Sequence, residues 1–237
     1  MKRTSLLFVC LFAGTAASNA SLVFADNFSY PDGTTLSGQT PPVGSGKWDG
    51  TDAWKVNGGA VSLVDGGGAV LGRFISPLAA GQKLTLTYDT KEISGFLGDS
   101  WAPVSLYEGP DNERCYMGDL GGPGTYWAIG GPILNNTITT NDNSQANTAI
   151  FSYVYNTGAW TFSTNAGSYS GTGTPGYALD RLRIASGGTG EGGNMKLDDI
   201  TVSIASDTIT SVPEPGSLLA LGGLLGSGMC LRSRRRK

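Results

Sequence analysis

The sequence predicts an all-β protein made of antiparallel strands. Between Ser21 and Asp207 no helical period of any length is present, and glycine is abundant, with 37 residues among 237. Glycine destabilises helices and favours turns. Short runs rich in β-branched and aromatic residues predict strands at Ala60–Val64, Val70–Ile75, Lys83–Tyr88, Ala149–Tyr155, Ala159–Thr164, Leu182–Ala185 and Lys196–Ile204. Clusters of Gly, Asn, Asp and Ser separate these runs, which is typical of a two-sheet sandwich or a barrel.

The composition limits the chemistry of this β domain. The chain contains no histidine, which excludes Ser-His-Asp and Cys-His catalysis and His-ligated zinc. Seven of the sixteen basic residues lie close to the two termini, and the rest of the chain holds nine basic residues against nineteen acidic ones. A net charge of about −10 disfavours nucleic acids and anionic lipids as partners. Cys115 is the one cysteine between the terminal segments, so no disulfide can form within the domain.

The first 20 residues have the pattern of a secretory signal peptide. Two basic residues precede a short apolar run, and small residues occupy the −3 and −1 positions before Ser21. We expect cleavage between Ala20 and Ser21. An uncleaved anchor is the alternative, but a run of about a dozen residues is short for a bilayer, which needs ~20.

The last 30 residues differ from the rest of the chain. Pro213, Glu214 and Pro215 precede an apolar, glycine-rich segment, Gly216–Leu231, and an arginine-rich end. As a helix this segment spans ~24 Å, less than a hydrocarbon core of ~30 Å. We predict a short apolar helix that inserts transiently in the inner membrane, with its basic end in the cytoplasm. The predicted organisation is therefore a signal peptide at 1–20, a β domain at 21–207, and a linker with an apolar, basic tail at 208–237.

The tail resembles the PEP-CTERM sorting signal of Gram-negative bacteria in its Pro-Glu-Pro triplet, apolar segment and arginine-rich end. The resemblance implies processing by an exosortase-type protease and release to the cell surface or extracellular matrix, in association with exopolysaccharide. The β domain resembles concanavalin A-like (laminin-G-like) jelly rolls in four segments, Asp26–Gly33, Val104–Gly109, Leu179–Gly188 and Lys196–Val202. This second resemblance implies a two-sheet jelly-roll sandwich, and such a fold does not define one activity.

Paired carboxylates for glycoside hydrolysis are missing from the sequence. Beta-glucanase-type members of this fold carry Glu-x-Asp-x-x-Glu on one strand, so that alternate carboxylates share a face. None of Glu92, Glu108, Glu113 and Glu191 begins such a pattern. Glu108 and Glu113 flank a Gly-Pro-Asp-Asn sequence, which indicates a solvated turn. We therefore predict a protein that is not an enzyme.

Two candidate sites remain. Ca²⁺ binds oxygen ligands and needs no His or Cys. Asp26 opens the first predicted strand, and Asp198 and Asp199 lie in the last, so a jelly roll that pairs these strands would bring the three carboxylates together. The alternative is that they are surface charges.

Tyr126 and Trp127 are candidates for stacking on a sugar, since adjacent strand residues point to opposite faces. The alternative is that tryptophans fill the core.

The sequence therefore predicts a non-catalytic exported surface or matrix protein that binds polysaccharide. Two alternatives stay open, an extracellular polysaccharide hydrolase or lyase and a structural surface protein without a small ligand. A carboxylate pair in a groove favours the first alternative, and a polar surface without a groove favours the second.

Overall fold

The computed structural model describes residues 19–63, 67–92, 102–119, 126–140, 147–186 and 195–207. The chain divides after Asp207, and the second part, Thr208–Lys237, lies outside the described residues. Residues 1–18 lie outside them as well. The signal peptide, the Pro213-Glu214-Pro215 triplet and the apolar segment 216–231 therefore stay predictions. Within the described ranges no helix has the length and apolar character needed to cross a bilayer.

The described residues form strands and loops without helices, and all strand pairs are antiparallel, as the sequence predicts. The strands are β1 (Ser21–Asp26), β2 (Asp49–Gly50), β3 (Trp54–Asn57), β4 (Ala60–Leu63), β5 (Gly68–Arg73), β6 (Gln82–Glu92), β7 (Ala102–Glu108), β8 (Asn112–Asp119), β9 (Trp127–Gly130), β10 (Ile138–Thr139), β11 (Asn147–Val154), β12 (Ala159–Thr164), β13 (Gly167–Thr172), β14 (Arg181–Ser186) and β15 (Met195–Ser206). All seven strands predicted from the sequence are confirmed.

Two sheets form a sandwich. The eight-stranded sheet has the order β13-β12-β11-β6-β15-β4-β3, and β1 also pairs with β15. The seven-stranded sheet has the order β10-β9-β8-β7-β14-β5-β2. Alternate side chains of the central strands point inward and are buried, as Leu84, Leu86 and Tyr88 of β6 show. This alternation follows from the two-residue period of a strand, and it leaves each sheet with one solvent-facing surface.

The first and last strands of the domain are neighbours. β1 pairs with β15 in the register Ser21↔Ile204 to Asp26↔Ile200. The predicted adjacency of the terminal strands is thus confirmed. One detail of the prediction is wrong, because Asp26 ends β1 instead of opening a strand. The next residue but one, Phe28, has a φ of 50°, and the chain leaves the sheet there.

Candidate functional site

Asp26 is a buried hydrogen-bond acceptor at the end of β1. Its side chain is 2% exposed. Oδ1 accepts the backbone N–H of Phe28 at 2.8 Å, and Oδ2 accepts the Tyr30 hydroxyl at 2.8 Å and the Trp48 Nε1–H at 2.7 Å. The carboxylate thereby joins β1 to the segment after it and to the buried indole of Trp48. Burial raises the pKa of Asp26, and the three hydrogen bonds act in the opposite direction.

The other two predicted calcium ligands lie at an irregularity of β15. The pairing of β15 with β6 shifts between Asp198 and Thr201, and Asp199 has a φ of 47° there. The backbone N–H of Asp199 donates to Oδ1 of Asp198 at 2.9 Å, and Asp198 is only 7% exposed. Asp199 is exposed and borders a cavity of about 210 Å³ that Asp26 also borders. The bulge thus places Asp199 near Asp26, whereas Asp198 lies opposite Asp89 of β6.

Calcium binding by Asp26, Asp198 and Asp199 stays a prediction. Across the described residues, no three His, Cys, Asp or Glu side chains are arranged so that they would hold a metal ion. Both oxygens of Asp26 already accept hydrogen bonds from protein donors. These contacts favour a structural role for Asp26.

The calcium prediction is tested by thermal melts in millimolar Ca²⁺ and in chelator. An ion that binds only the native state stabilises it by about 2.7 kcal/mol at a hundredfold excess over Kd. This corresponds to a rise in melting temperature of several degrees, and Asp199→Asn should abolish the rise. Equal melting temperatures in both solutions would rule out a calcium site.

The pair Tyr126 and Trp127 is divided between solvent and core. Tyr126 is 42% exposed, whereas Trp127 is 0% exposed and stacks on Tyr88, with ring centroids 6.2 Å apart. As expected, one residue of the pair is exposed, although Tyr126 precedes β9 instead of lying on it. The prediction that Trp127 binds a sugar is wrong, because the core covers the whole surface of its side chain. Tyr126 remains a candidate. The indoles of Trp48, Trp54 and Trp160 are buried as well, and Trp101 lies outside the described residues.

Glu108 and Glu113 are held in ion pairs on strands. Glu108 ends β7 and pairs with Arg114 at 2.8 Å, and Glu113 of β8 pairs with Arg183 of β14 at 2.8 Å. The predicted solvated turn is thus limited to the residues between β7 and β8. The side chains of Glu92 and Glu191 lie outside the described residues. Cys115 is buried beneath this surface, and burial raises the pKa of its thiol well above the usual value, so it is a poor nucleophile.

The solvent-facing surface of the seven-stranded sheet carries a row of polar side chains. In the register of the sheet, Arg73 of β5 lies opposite Arg181 of β14, which lies opposite Tyr107 of β7, and Tyr107 lies opposite Glu113 of β8. We call these four residues the arginine row. The Arg183 guanidinium lies 5.0 Å from the centroid of the Tyr107 ring. Burial and the Glu113 charge raise the pKa of Tyr107 to about 12, so its hydroxyl stays protonated and donates to Glu113.

A cavity of about 390 Å³ lies at the Arg73 end of this row, and we call it the basic cavity. Lys47, Arg73 and Asp49 contribute its charged groups, and Ser37 and Ser45 contribute hydroxyls. Both cationic side chains are exposed, and neither has an ion pair with another described residue. The cavity therefore presents hydrogen-bond donors and an excess of positive charge on a domain that is acidic as a whole.

Two glycines shape the wall of the basic cavity. Gly38 has a φ of 85° and Gly46 a φ of 87°, and a Cβ on either residue would have no atom within 4 Å. The left-handed backbone requires glycine at both positions, since residues with a side chain rarely adopt that conformation. The open space beside both residues also lets a ligand approach the backbone closely.

Sequence reasoning missed the basic cavity. The segment 44–50, Gly-Ser-Gly-Lys-Trp-Asp-Gly, looks like an ordinary turn. It becomes part of a site because β2 pairs with β5, with Asp49 opposite Leu71, and this pairing brings the segment beside Arg73. The available signal was a lysine that follows a glycine and precedes a tryptophan.

No protein-family model matches the chain, and no curated protein matches it in sequence. Among solved structures, the chain is similar to the CBM2 module of the evolved Dit protein of Lactobacillus casei BL23 phage J-1, with a TM-score of 0.54 and 10% identity over 81% of this chain and 98% of that one. It is also similar to the globular domain of T. cruzi calreticulin, with a TM-score of 0.50 and 13% identity over 77% of this chain and 87% of that one. A Bauhinia forficata lectin in complex with GalNAc gives a TM-score of 0.48 at 12% identity over 81% and 100%, too loose to bear on the fold.

These likenesses define the class of the fold. The protein has a two-sheet antiparallel jelly-roll sandwich, as the sequence predicts. At 10–13% identity they show the fold alone. What the domain binds must therefore be inferred from its own surface.

Proposed function

We propose that this protein is a non-catalytic surface or matrix protein that binds polysaccharide in the basic cavity. The observation that carries the proposal is a pair of cations, Lys47 and Arg73, that have no ion pair with a described residue and border a cavity of about 390 Å³. Ligand cavities in proteins commonly measure about 300–1,000 Å³, so this one has room for a short piece of a glycan chain.

The charge of the basic cavity favours an acidic polysaccharide. Arg73 presents a planar group that binds a carboxylate through two hydrogen bonds, and Lys47 adds a point charge. The serine hydroxyls and the glycine backbone then remain for the sugar hydroxyls. Beyond the cavity, Arg181 of the arginine row is paired with Asp180 at 2.8 Å and has less capacity for a ligand. The carboxylate of a uronic acid unit is therefore the group we place between Lys47 and Arg73.

The carboxylates on the same surface support a non-catalytic role. An acid/base pair in a glycosidase needs one carboxyl that is free to give up a proton and another that is free to attack or to activate water. Glu108 and Glu113 each accept hydrogen bonds from an arginine. These contacts engage both carboxylates with arginines of the same surface, which suits a rigid binding surface.

Binding is tested by titration calorimetry with an oligogalacturonate, using a neutral cello-oligosaccharide as the comparison ligand. Lys47→Ala and Arg73→Ala should each weaken binding of the acidic ligand by about tenfold or more, because a hydrogen bond to a charged group contributes about 1.5–3 kcal/mol. Lys83→Ala removes a cation from the other sheet and is the matched control. Added salt should weaken binding too. Equal affinity of the wild type and both cavity variants, or glycan cleavage in the calorimeter cell, would contradict the proposal.

Export and sorting form the second half of the proposal. The N-terminal pattern supports cleavage between Ala20 and Ser21, and Ser21 is also the first residue of β1, so this cut would leave the sheet whole. The resemblance of the tail to PEP-CTERM signals supports exosortase-type processing near Pro213-Glu214-Pro215. The protein would then be held transiently by 216–231 before release to the surface or matrix of a Gram-negative bacterium.

Mass spectrometry of the protein from its natural source tests this route. The expected mature chain begins at Ser21 and ends near the Pro-Glu-Pro triplet. A mature protein that retains its arginine-rich C-terminus would remove the sorting half of the proposal and leave the binding half standing.

A further inference from the structure

β13 is an edge strand that lacks, among the described residues, the features that usually protect one. It lies at the end of the eight-stranded sheet and pairs on one side with β12 in an unbroken register from Ala159↔Thr172 to Thr164↔Gly167. Its sequence, Gly-Ser-Tyr-Ser-Gly-Thr, has no charge and no proline. Soluble proteins commonly protect an edge with a lysine, a proline, a bulge or a covering loop, because a bare edge pairs with other strands.

The free side of β13 presents backbone groups at three residues. The Gly173 N–H donates to the Gly158 carbonyl at 2.9 Å, which makes these two residues a hydrogen-bonded pair. Bonded and non-bonded pairs alternate along an antiparallel ladder. The N–H and C=O groups of Ser168, Ser170 and Thr172 therefore point away from β12, and all three residues are exposed. Outside the β12–β13 ladder, no described residue forms a backbone hydrogen bond with them.

The other sheet ends are short or covered. β2 and β10 have two residues each. The segment before β3 covers that strand, with the Val56 N–H donating to Thr34 and the Leu36 N–H donating to the Trp54 carbonyl, at 2.9 and 2.8 Å. β1 is covered on its outer side, where Ala25 and Val43 exchange backbone hydrogen bonds. Among the described sheet ends, β13 is thus the long and uncovered one.

We propose that β13 pairs with β13 of a second copy of this chain, so that two eight-stranded sheets form one continuous antiparallel sheet. A two-fold axis beside Ser170 places Ser170 opposite its own copy and Ser168 opposite Thr172 of the other chain. Self-pairing brings identical side chains close together, and a charged edge would repel itself. The uncharged β13 meets no such repulsion. The backbone N–H and C=O groups of its three outward-facing residues all point toward the second copy, so donors of one chain meet acceptors of the other.

This pairing also extends a row of hydroxyl side chains on the solvent-facing surface of the sheet. Within one chain, the register aligns Ser203, Thr85, Ser152, Thr161 and Ser170 across five strands. The Ser152 and Thr161 hydroxyls are hydrogen-bonded at 2.7 Å. With Ser170 opposite its copy, the row continues without a break into the second chain. The assembly is independent of the proposed glycan site, which lies on the other sheet.

Disulfide crosslinking of the full chain tests the contact directly. In a background with Cys10→Ala and Cys230→Ala, Ser170→Cys should form a covalent dimer under mild oxidation. The Cα atoms of a hydrogen-bonded pair are about 5.5 Å apart, within the disulfide range of about 4.4–6.8 Å. Thr161→Cys, exposed on the same surface but one strand further in, is the matched control and should stay monomeric. Equal crosslinking of the two variants, or none in either, would overturn the proposal.

Charge pairs test the register. Ser168→Lys with Thr172→Glu should preserve the dimer in sedimentation equilibrium at low salt, because opposite charges meet twice across the axis. Ser168→Lys with Thr172→Lys places like charges opposite one another and should give monomers. Both double variants alter the same exposed positions, and circular dichroism confirms that each keeps its β structure. The same association state for both, or a monomeric wild type, would contradict the pairing.

Discussion

Replacing Asp26 with alanine is expected to lower the free energy of unfolding by about 2–6 kcal/mol, because two buried donors lose their acceptor. Each buried donor left without a partner costs about 1–3 kcal/mol. Those donors are the Phe28 N–H and the Trp48 Nε1–H, both bonded to Asp26 in the native protein. Tyr30 is less affected, since its hydroxyl also lies 3.0 Å from the Thr40 carbonyl. The melting temperature should fall by roughly 10 °C, at about 2–4 °C per kcal/mol for a domain of this size.

Asp52→Ala is the control for this measurement. Asp52 is exposed, and such a surface substitution usually changes stability by no more than about 0.5 kcal/mol. Urea unfolding followed by tryptophan fluorescence measures both variants. If Asp26→Ala proves as stable as Asp52→Ala, the carboxylate does not join β1 to Trp48 in the way that the distances indicate.

The titration of Asp26 should make the stability difference between wild type and Asp26→Ala depend on pH. Its pKa is raised in the folded protein from the usual 3.8, so the folded state binds this proton more tightly than the unfolded state. The resulting stabilisation is present below pH 3.8 and is lost as the pH rises through the raised value. The stability difference between wild type and Asp26→Ala should therefore change over this acidic window and be constant at higher pH.

Removing the indole of Trp127 is the second large effect. Trp127→Ala should lower the free energy of unfolding by about 3–5 kcal/mol, the usual cost of deleting a large aromatic side chain from a core. Trp127 is 0% exposed and stacks on Tyr88. Tyr126→Ala, one residue earlier, should leave stability nearly unchanged because Tyr126 is 42% exposed. Equal losses from both substitutions in thermal unfolding would contradict the division of the pair between core and solvent.

The strands were predictable from the sequence where an alternating pattern marks a buried surface. In β6, Leu84, Leu86 and Tyr88 alternate with threonines, and all three are buried. β13 lacks this signal, because all its residues except Tyr169 are small and the strand lies at an edge where little is buried. Its strand structure comes from pairing with β12, which a local pattern does not encode.

The sites were less predictable because their contacts join distant parts of the chain. The adjacency of β1 and β15 followed from the jelly-roll resemblance, yet the donors around Asp26 come from Phe28, Tyr30 and Trp48. Their convergence depends on the turn after β1, where Phe28 adopts a positive φ. The basic cavity likewise depends on the pairing of β2 with β5. A two-residue strand such as β2 leaves no periodic pattern to recognise.

A crystal structure of the domain with a bound oligogalacturonate tests the central claim most directly. Binding in the basic cavity predicts a sugar carboxylate within hydrogen-bond distance of both Lys47 and Arg73, with sugar hydroxyls near Ser37 or Ser45. A ligand bound instead beside Tyr126 or on the hydroxyl row, or an empty cavity at a saturating ligand concentration, would contradict it.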